Sequence, residues 1–151
     1  MSALKGFLKD KGYCKIKLEK LTSNHRRFEA SINGITGSFI LDTGASSSCI
    51  DFKDLDRFEV EVNDLSIRAA GAGDSNMQGS VSFGNKLKVG AWKTKEFNLV
   101  AIDLSHVNEA LSQEGIKPTD GVMGADFLEQ SGAIIDFEKN KLYLKRKIFK
   151  K

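Results

Sequence analysis

One proline, one tryptophan, two histidines and two cysteines are all that 151 residues supply of these types, and the scarcity narrows the function. Cys14 and Cys49 lie far apart and neither has a CxxC partner. A disulfide framework or a thiolate metal site is therefore not expected, and both read as reduced thiols of a cytoplasmic protein. His25 and His106 are isolated, without the pairing a metal site requires, and read as solvated or structural. No apolar run approaches the ~18 residues of a membrane-spanning helix. Met1 to Lys11 has no continuous apolar core, so no signal peptide is expected. Neither sign of charge dominates. With 23 basic and 20 acidic side chains the balance is +3, which argues for neither nucleic acid nor a membrane as an obligatory partner.

What is present suits one domain over residues 1–151: 40% hydrophobic residues in a chain long enough for one core. Ser2 is a plausible N-cap for a short helix carrying Leu4, Phe7 and Leu8. After Gly12 the period becomes two. Cys14, Ile16 and Leu18 alternate with charged residues, and Phe28, Ala30 and Ile32 with polar ones. Asn33-Gly34 is a hairpin turn, because both residues tolerate positive φ. It leads into a strand from Ile35 to Leu41 that ends at Asp42, with a further strand over Ser46 to Ile50. Phe58, Val60 and Val62 alternate, and Gly79, Gly84 and Gly90 punctuate more short strands. Phe97 to Ile102 fits a buried strand and Leu104 to Leu111 a short helix. Gly121 to Gly124 is a short apolar strand, Ala125 to Gln130 a helix, and Ala133–Phe137 with Lys141–Lys147 a closing hairpin. The sum is a mostly-β barrel or sandwich with one or two short helices.

Asp42-Thr43-Gly44 is the segment with chemistry in it. Alone, the tripeptide reads as a surface turn. Here Phe39-Ile40-Leu41 leads into it, and a carboxylate at the end of a buried strand is costly to ionise unless something holds it. Gly44 lets its N–H approach the carboxylate with no Cβ in the way, and Thr43 offers a hydroxyl to a neighbouring backbone. Ser46, Ser47 and Ser48 have no base beside them and form no Gly-x-Ser-x-Gly. Asp126 reads as an acid in the first turn of a helix, favoured by the macrodipole, and Asp136 as a strand-end residue.

Phe39-Ile40-Leu41-Asp42-Thr43-Gly44-Ala45-Ser46 resembles the signature of the retropepsin-like aspartic proteases. So do Val122-Met123-Gly124-Ala125-Asp126-Phe127-Leu128 and Ala133-Ile134-Ile135-Asp136-Phe137, and the likeness is to the small bacterial and cellular members. It spans roughly residues 28–144, leaving 1–27 as an extension and 145–151 as a basic tail. The resemblance implies a retropepsin-like acid-protease fold, the closed β-barrel-like half of a pepsin-type enzyme. By the same resemblance Asp42 is expected to be the catalytic carboxylate, with Thr43, Gly44 and Ala45 in the supporting loop. Ala70, Gly71, Ala72 and Gly73 resemble the tip of the family's flap, which closes over a bound peptide; an ordinary glycine-rich hairpin is the alternative. Viral relatives often carry an arginine where Ala125 stands, so that ion pair must be absent or replaced here.

Pepsin-like relatives hold two Asp-Thr-Gly copies in a chain of twice this size, whereas this one holds a single copy. Thr119-Asp120-Gly121 has the wrong order. The resemblance therefore implies a homodimer in which each chain gives one aspartate, with no metal or cofactor. The interface is expected at Thr43 and around Leu142 and Leu144, and a buried Asp42 pair is expected to give an acidic, bell-shaped activity profile. The expected function is an aspartic endopeptidase acting on peptide or protein. The alternative is a silent module of the same fold that dimerises or binds an extended peptide. The basic tail reads as a solvated terminus or an extra interface strand before it reads as a nucleic-acid contact.

Overall fold

The computed structural model of the chain describes residues 3–62, 64–68 and 78–146. In chain order its elements are α1 (Ala3–Asp10), β1 (Tyr13–Lys17), β2 (Glu19–Lys20), β3 (Arg26–Ile32), β4 (Ile35–Leu41), β5 (Cys49–Asp51), β6 (Asp64–Arg68) and β7 (Gln78–Val89). They continue with β8 (Trp92–Ile102), α2 (Ser105–Gln113), β9 (Gly121–Met123), α3 (Ala125–Gln130), β10 (Ile134–Asp136) and β11 (Lys141–Lys145). Strands dominate, as the period-two patterning requires, and the three α-helices among the described residues lie where the sequence placed short helices.

The β3–β4 hairpin shows how local sequence sets the architecture. Phe28, Ala30 and Ile32 point into the core, and Asn33 (φ 51°) and Gly34 (φ 87°) make the two-residue turn with positive φ at both positions. Eight strands then run in the order β2-β3-β4-β9-β5-β8-β7-β6, and a second contact between β3 and β7 closes six of them into a barrel. β9 pairs parallel with β4 and antiparallel with β5, so it separates the two strands that flank Asp42. A separate three-stranded sheet, β1-β11-β10, joins the two ends of the chain. Phe127 of α3 plugs the core. It stacks on Phe28 at 5.9 Å and meets the edges of Trp92 and Phe97 at 5.6 and 6.4 Å between ring centroids.

Four expectations need correction. Leu142 and Leu144 are fully buried in the subunit's own core, because β11 turns alternate residues inward toward Ile16 and Cys14. They are not available to an interface. Phe58, Val60 and Val62 do not lie on a strand. A 3₁₀ turn at Phe52–Asp54, capped by the Asp51 side chain, runs into a compact loop that plugs Phe58 and Val60 into the core, with Glu59 at φ 52°. Gly84 (φ 72°) does not end a strand; it sits in a register shift between Ser82 and Asn85, a bulge within the continuous β7. The strand expected from Ser46 begins only at Cys49, because the Asp42 loop occupies the residues before it.

Candidate active site

The turn at the end of β4 is built from inside out. Asp42 N–H donates to Met123 O at 2.9 Å, which fixes the first loop residue to β9. Ala45 N–H donates back to Asp42 O at 3.2 Å, and the Gly44 N–H donates to Asp42 Oδ1 at 2.9 Å. A Cβ on Gly44 would stand 3.3 Å from that same oxygen. Glycine therefore lets the backbone close around the carboxylate, as its place in the sequence implies. The other carboxylate oxygen, Oδ2, has no hydrogen-bond partner among the described residues.

Asp42, Thr43 and Gly44 are exposed. The sequence reading expected the apolar strand to bury the carboxylate, but β4 ends at Leu41 and the chain turns outward before Asp42. Within one subunit this acid faces solvent. Just past the loop the chain returns to the interior at Ser48, which is fully buried.

Ser48 ties the loop to α3. Its N–H donates to Asp126 Oδ2 at 2.9 Å, its Oγ donates to Asp126 Oδ1 at 2.7 Å, and the same Oγ accepts the Gly124 N–H at 2.9 Å. Asp126 Oδ1 also accepts the Phe127 N–H at 2.8 Å. Ala125 N–H donates to Ala45 O at 2.7 Å, and a Cβ on Gly124 would collide with that carbonyl. Ala125, where viral relatives place an arginine, thus joins the loop through its backbone. A Cβ on Gly121 would likewise collide with Cys49 O. Two glycines therefore let β9 and α3 approach the Asp42 loop closely. Sequence reasoning set Ser48 aside for want of a base. The usable signal was Asp126, whose helix-start position matches an acid that accepts from backbone N–H groups.

The other acids nearby are engaged within the subunit. Asp51 is buried and accepts from Lys53 N–H at 3.3 Å. Asp120 accepts from Ser38 N–H at 2.8 Å and from Arg57 at 2.7 Å, and that hydrogen bond holds the guanidinium above its usual pKa. Thr119, buried beside it, donates toward Gly121 O at 2.6 Å. Asp136 accepts from Lys139 N–H, a strand-end role as expected. Burial pushes the Cys49 thiol up to about 12 against a backbone hydrogen bond from Val122, and the charges of Asp126, Asp42 and Asp51 add to the rise. Cys49, Val100, Val122, Ile102 and Leu104 form one apolar cluster, and the field of Asp42 reaches it.

Ala70, Gly71, Ala72 and Gly73 lie outside the described residues. β6 and β7, on either side of them, pair antiparallel from Asp64↔Val81 to Arg68↔Gln78. Among the described residues no cluster of His, Cys, Asp and Glu could hold a metal ion, and no helix is long and apolar enough to cross a membrane.

Comparison with known proteins agrees with this layout. No curated protein sequence matches the chain. Three similar solved structures share its fold. A retropepsin-like aspartic protease from Rickettsia conorii has a TM-score of 0.58 at 20% identity, over 89% of this chain and 90% of that one. The retroviral protease-like domain of Ddi1 from Leishmania major gives 0.54 at 16%, over 85% and 87%. The EIAV protease, complexed with the inhibitor HBY-793, gives 0.56 at 17%, over 77% and 96%. Residues 28–127 match the aspartyl protease family, a span that runs from the start of the barrel through the Asp42 loop to α3. The chain therefore belongs to the aspartyl proteases, with a retropepsin-like fold.

Proposed function

We propose that the protein is an aspartic endopeptidase whose active unit is a C2 homodimer, with one Asp42 from each subunit in a single dyad. The observation that carries this reading is the state of the carboxylates. Asp42 is exposed with one oxygen held by Gly44 and the other without a hydrogen-bond partner among the described residues, whereas Asp51, Asp120 and Asp126 are each engaged inside the subunit. A second acid for Asp42 is thus best supplied by a second copy, and C2 is the simplest symmetry that brings like residues together.

Two carboxylates about 3 Å apart cannot both ionise, so the pair shares one proton. The charged member takes a proton from a water, which attacks the peptide carbonyl. The protonated member polarises the carbonyl oxygen, and the leaving nitrogen is then protonated. The Gly44 N–H holds the acceptor oxygen in place, and the clamp between Ser48 and Asp126 holds the loop. Ala70 to Gly73 would close over the substrate as a flap.

Incubating purified protein with a diverse peptide library, and reading cleavage sites by mass spectrometry, tests the activity. Cleavage by the wild type and its loss in Asp42→Asn is the expected result. Cleavage that survives Asp42→Asn would remove the assignment, and no cleavage by either would favour a silent peptide-binding module.

A further inference from the structure

Basic residues are concentrated at the two ends of the chain. Residues 1–20 and 139–151 hold 13 of the 23 basic side chains and only 2 of the 20 acidic ones. The remaining residues hold 10 and 18, so cationic ends of +11 flank an acidic middle of −8. The overall +3 conceals this division.

The fold gathers the two ends into one face. In the sheet of β1, β11 and β10, Lys17 stands opposite Lys141, Lys15 opposite Tyr143 and Tyr13 opposite Lys145. Cys14, Ile16, Leu142 and Leu144 take the inward side, so these lysines point outward. α1 packs against β1, with its Leu8 buried and its Lys5 side chain beside that of Lys15. That contact and the Lys5 charge hold Lys15 below the ordinary lysine value, and Lys141 lowers it further. The ion pairs of the described residues lie elsewhere, and Lys15, Lys17, Lys141 and Lys145 take part in none of them. Beside this cluster Leu4 and Phe7 project from α1 at 41% and 58% exposure, with Lys11 Nζ 5.5 Å from the Phe7 ring.

We infer that this face, α1 together with the outer side of β1 and β11, docks peripherally on an anionic lipid surface. Lysine ammoniums are compact, strongly hydrated charges suited to the diffuse attraction of a headgroup layer. Exposed Leu and Phe on a basic helix supply the apolar contact that such a layer accepts at its boundary. A nucleic acid or an acidic peptide would use the lysines and leave Leu4 and Phe7 idle. Beyond β11 the sequence continues Arg146-Lys147-Ile148-Phe149-Lys150-Lys151, the same mixture of cations and apolar residues.

Co-sedimentation of the full chain with vesicles tests this without recourse to catalysis. The protein is expected to pellet with phosphatidylcholine vesicles containing phosphatidylserine, not with phosphatidylcholine alone, and to be released by salt. Lys5→Gln, Lys15→Gln and Lys145→Gln combined should weaken binding at least tenfold. Phe7→Ser should weaken it several-fold without altering the salt dependence, and circular dichroism checks that each variant is folded. Equal binding to neutral vesicles, failure to bind either, or release from anionic vesicles by duplex DNA at equal phosphate concentration would each overturn the inference.

Discussion

Gly44 N–H reaches Asp42 Oδ1 at 2.9 Å, and that contact survives replacement of the acid by its amide, whose oxygen can still accept. Asp42→Asn should therefore keep the fold and its melting temperature while losing ~10²–10⁴-fold or more of peptide cleavage, as expected for loss of a positioned acid and base. Cys49 makes a second prediction at this scale. With its pKa pushed up to about 12, almost none of the reactive thiolate exists at neutral pH. Cys49 should resist N-ethylmaleimide at pH 8 in the folded protein and react on denaturation; equal labelling in both states would contradict the burial seen here. The raised value also sets a sign. The contribution of this thiol to stability is complete below the unfolded value near 9 and is lost as pH rises from there to about 12. The turn at Asp42 was legible from sequence because a glycine two residues on and an apolar run before it have few joint explanations. The exposure of Asp42 was not legible, since the turn that carries it outward depends on Met123, far along the chain.

Between elements, the clamp of Ser48 on Asp126 is what joins the Asp42 loop to α3. Asp126→Ala would strip the acceptor from Ser48 N–H, Ser48 Oγ and Phe127 N–H at once. Leaving buried donors unsatisfied costs about 1–3 kcal/mol, so the variant should unfold at clearly lower denaturant concentration. An unchanged midpoint would show that the clamp carries no weight. Gly121→Ala should be worse tolerated, because its Cβ meets the Cys49 carbonyl, a backbone atom that cannot rotate away. The strand and helix order was readable from periodicity and turn residues, as β3, β4, β8 and α3 illustrate. Local pattern failed where packing overrode it. Phe58 and Val60 alternate like a strand yet plug a loop into the barrel, and Gly84 looks like a break yet bulges a continuous strand. Leu142 and Leu144 were read as an outer surface because period two gives alternation but not which side faces in.

For the whole molecule, the proposed dyad across a two-fold axis would tie activity to association. Specific activity should fall on dilution below the dimer dissociation constant, and excess Asp42→Asn protein should inhibit the wild type by forming mixed dimers. A monomer in sedimentation that keeps full activity at every dilution would place the second acid within the chain. The shared proton should also give a bell-shaped dependence on pH, and a rate climbing steadily to pH 9 would contradict it. The proposed association is not written in the composition, which shows only a single Asp-Thr-Gly. The placement of β9 has a consequence in time as well as in space. Asp42 is anchored to Met123, and its loop is braced by Gly124, Ala125 and Asp126, some 80 residues later. At synthesis rates of ~5–20 residues per second, the nascent chain carries its acid for roughly 4–16 s before the residues that shape the loop exist. A ribosome-bound chain stopped before Gly121 would hold the full Asp-Thr-Gly signature in an unbraced turn. On the proposed reading, Asp42 would thus gain its working geometry only once β9 and α3 have been made.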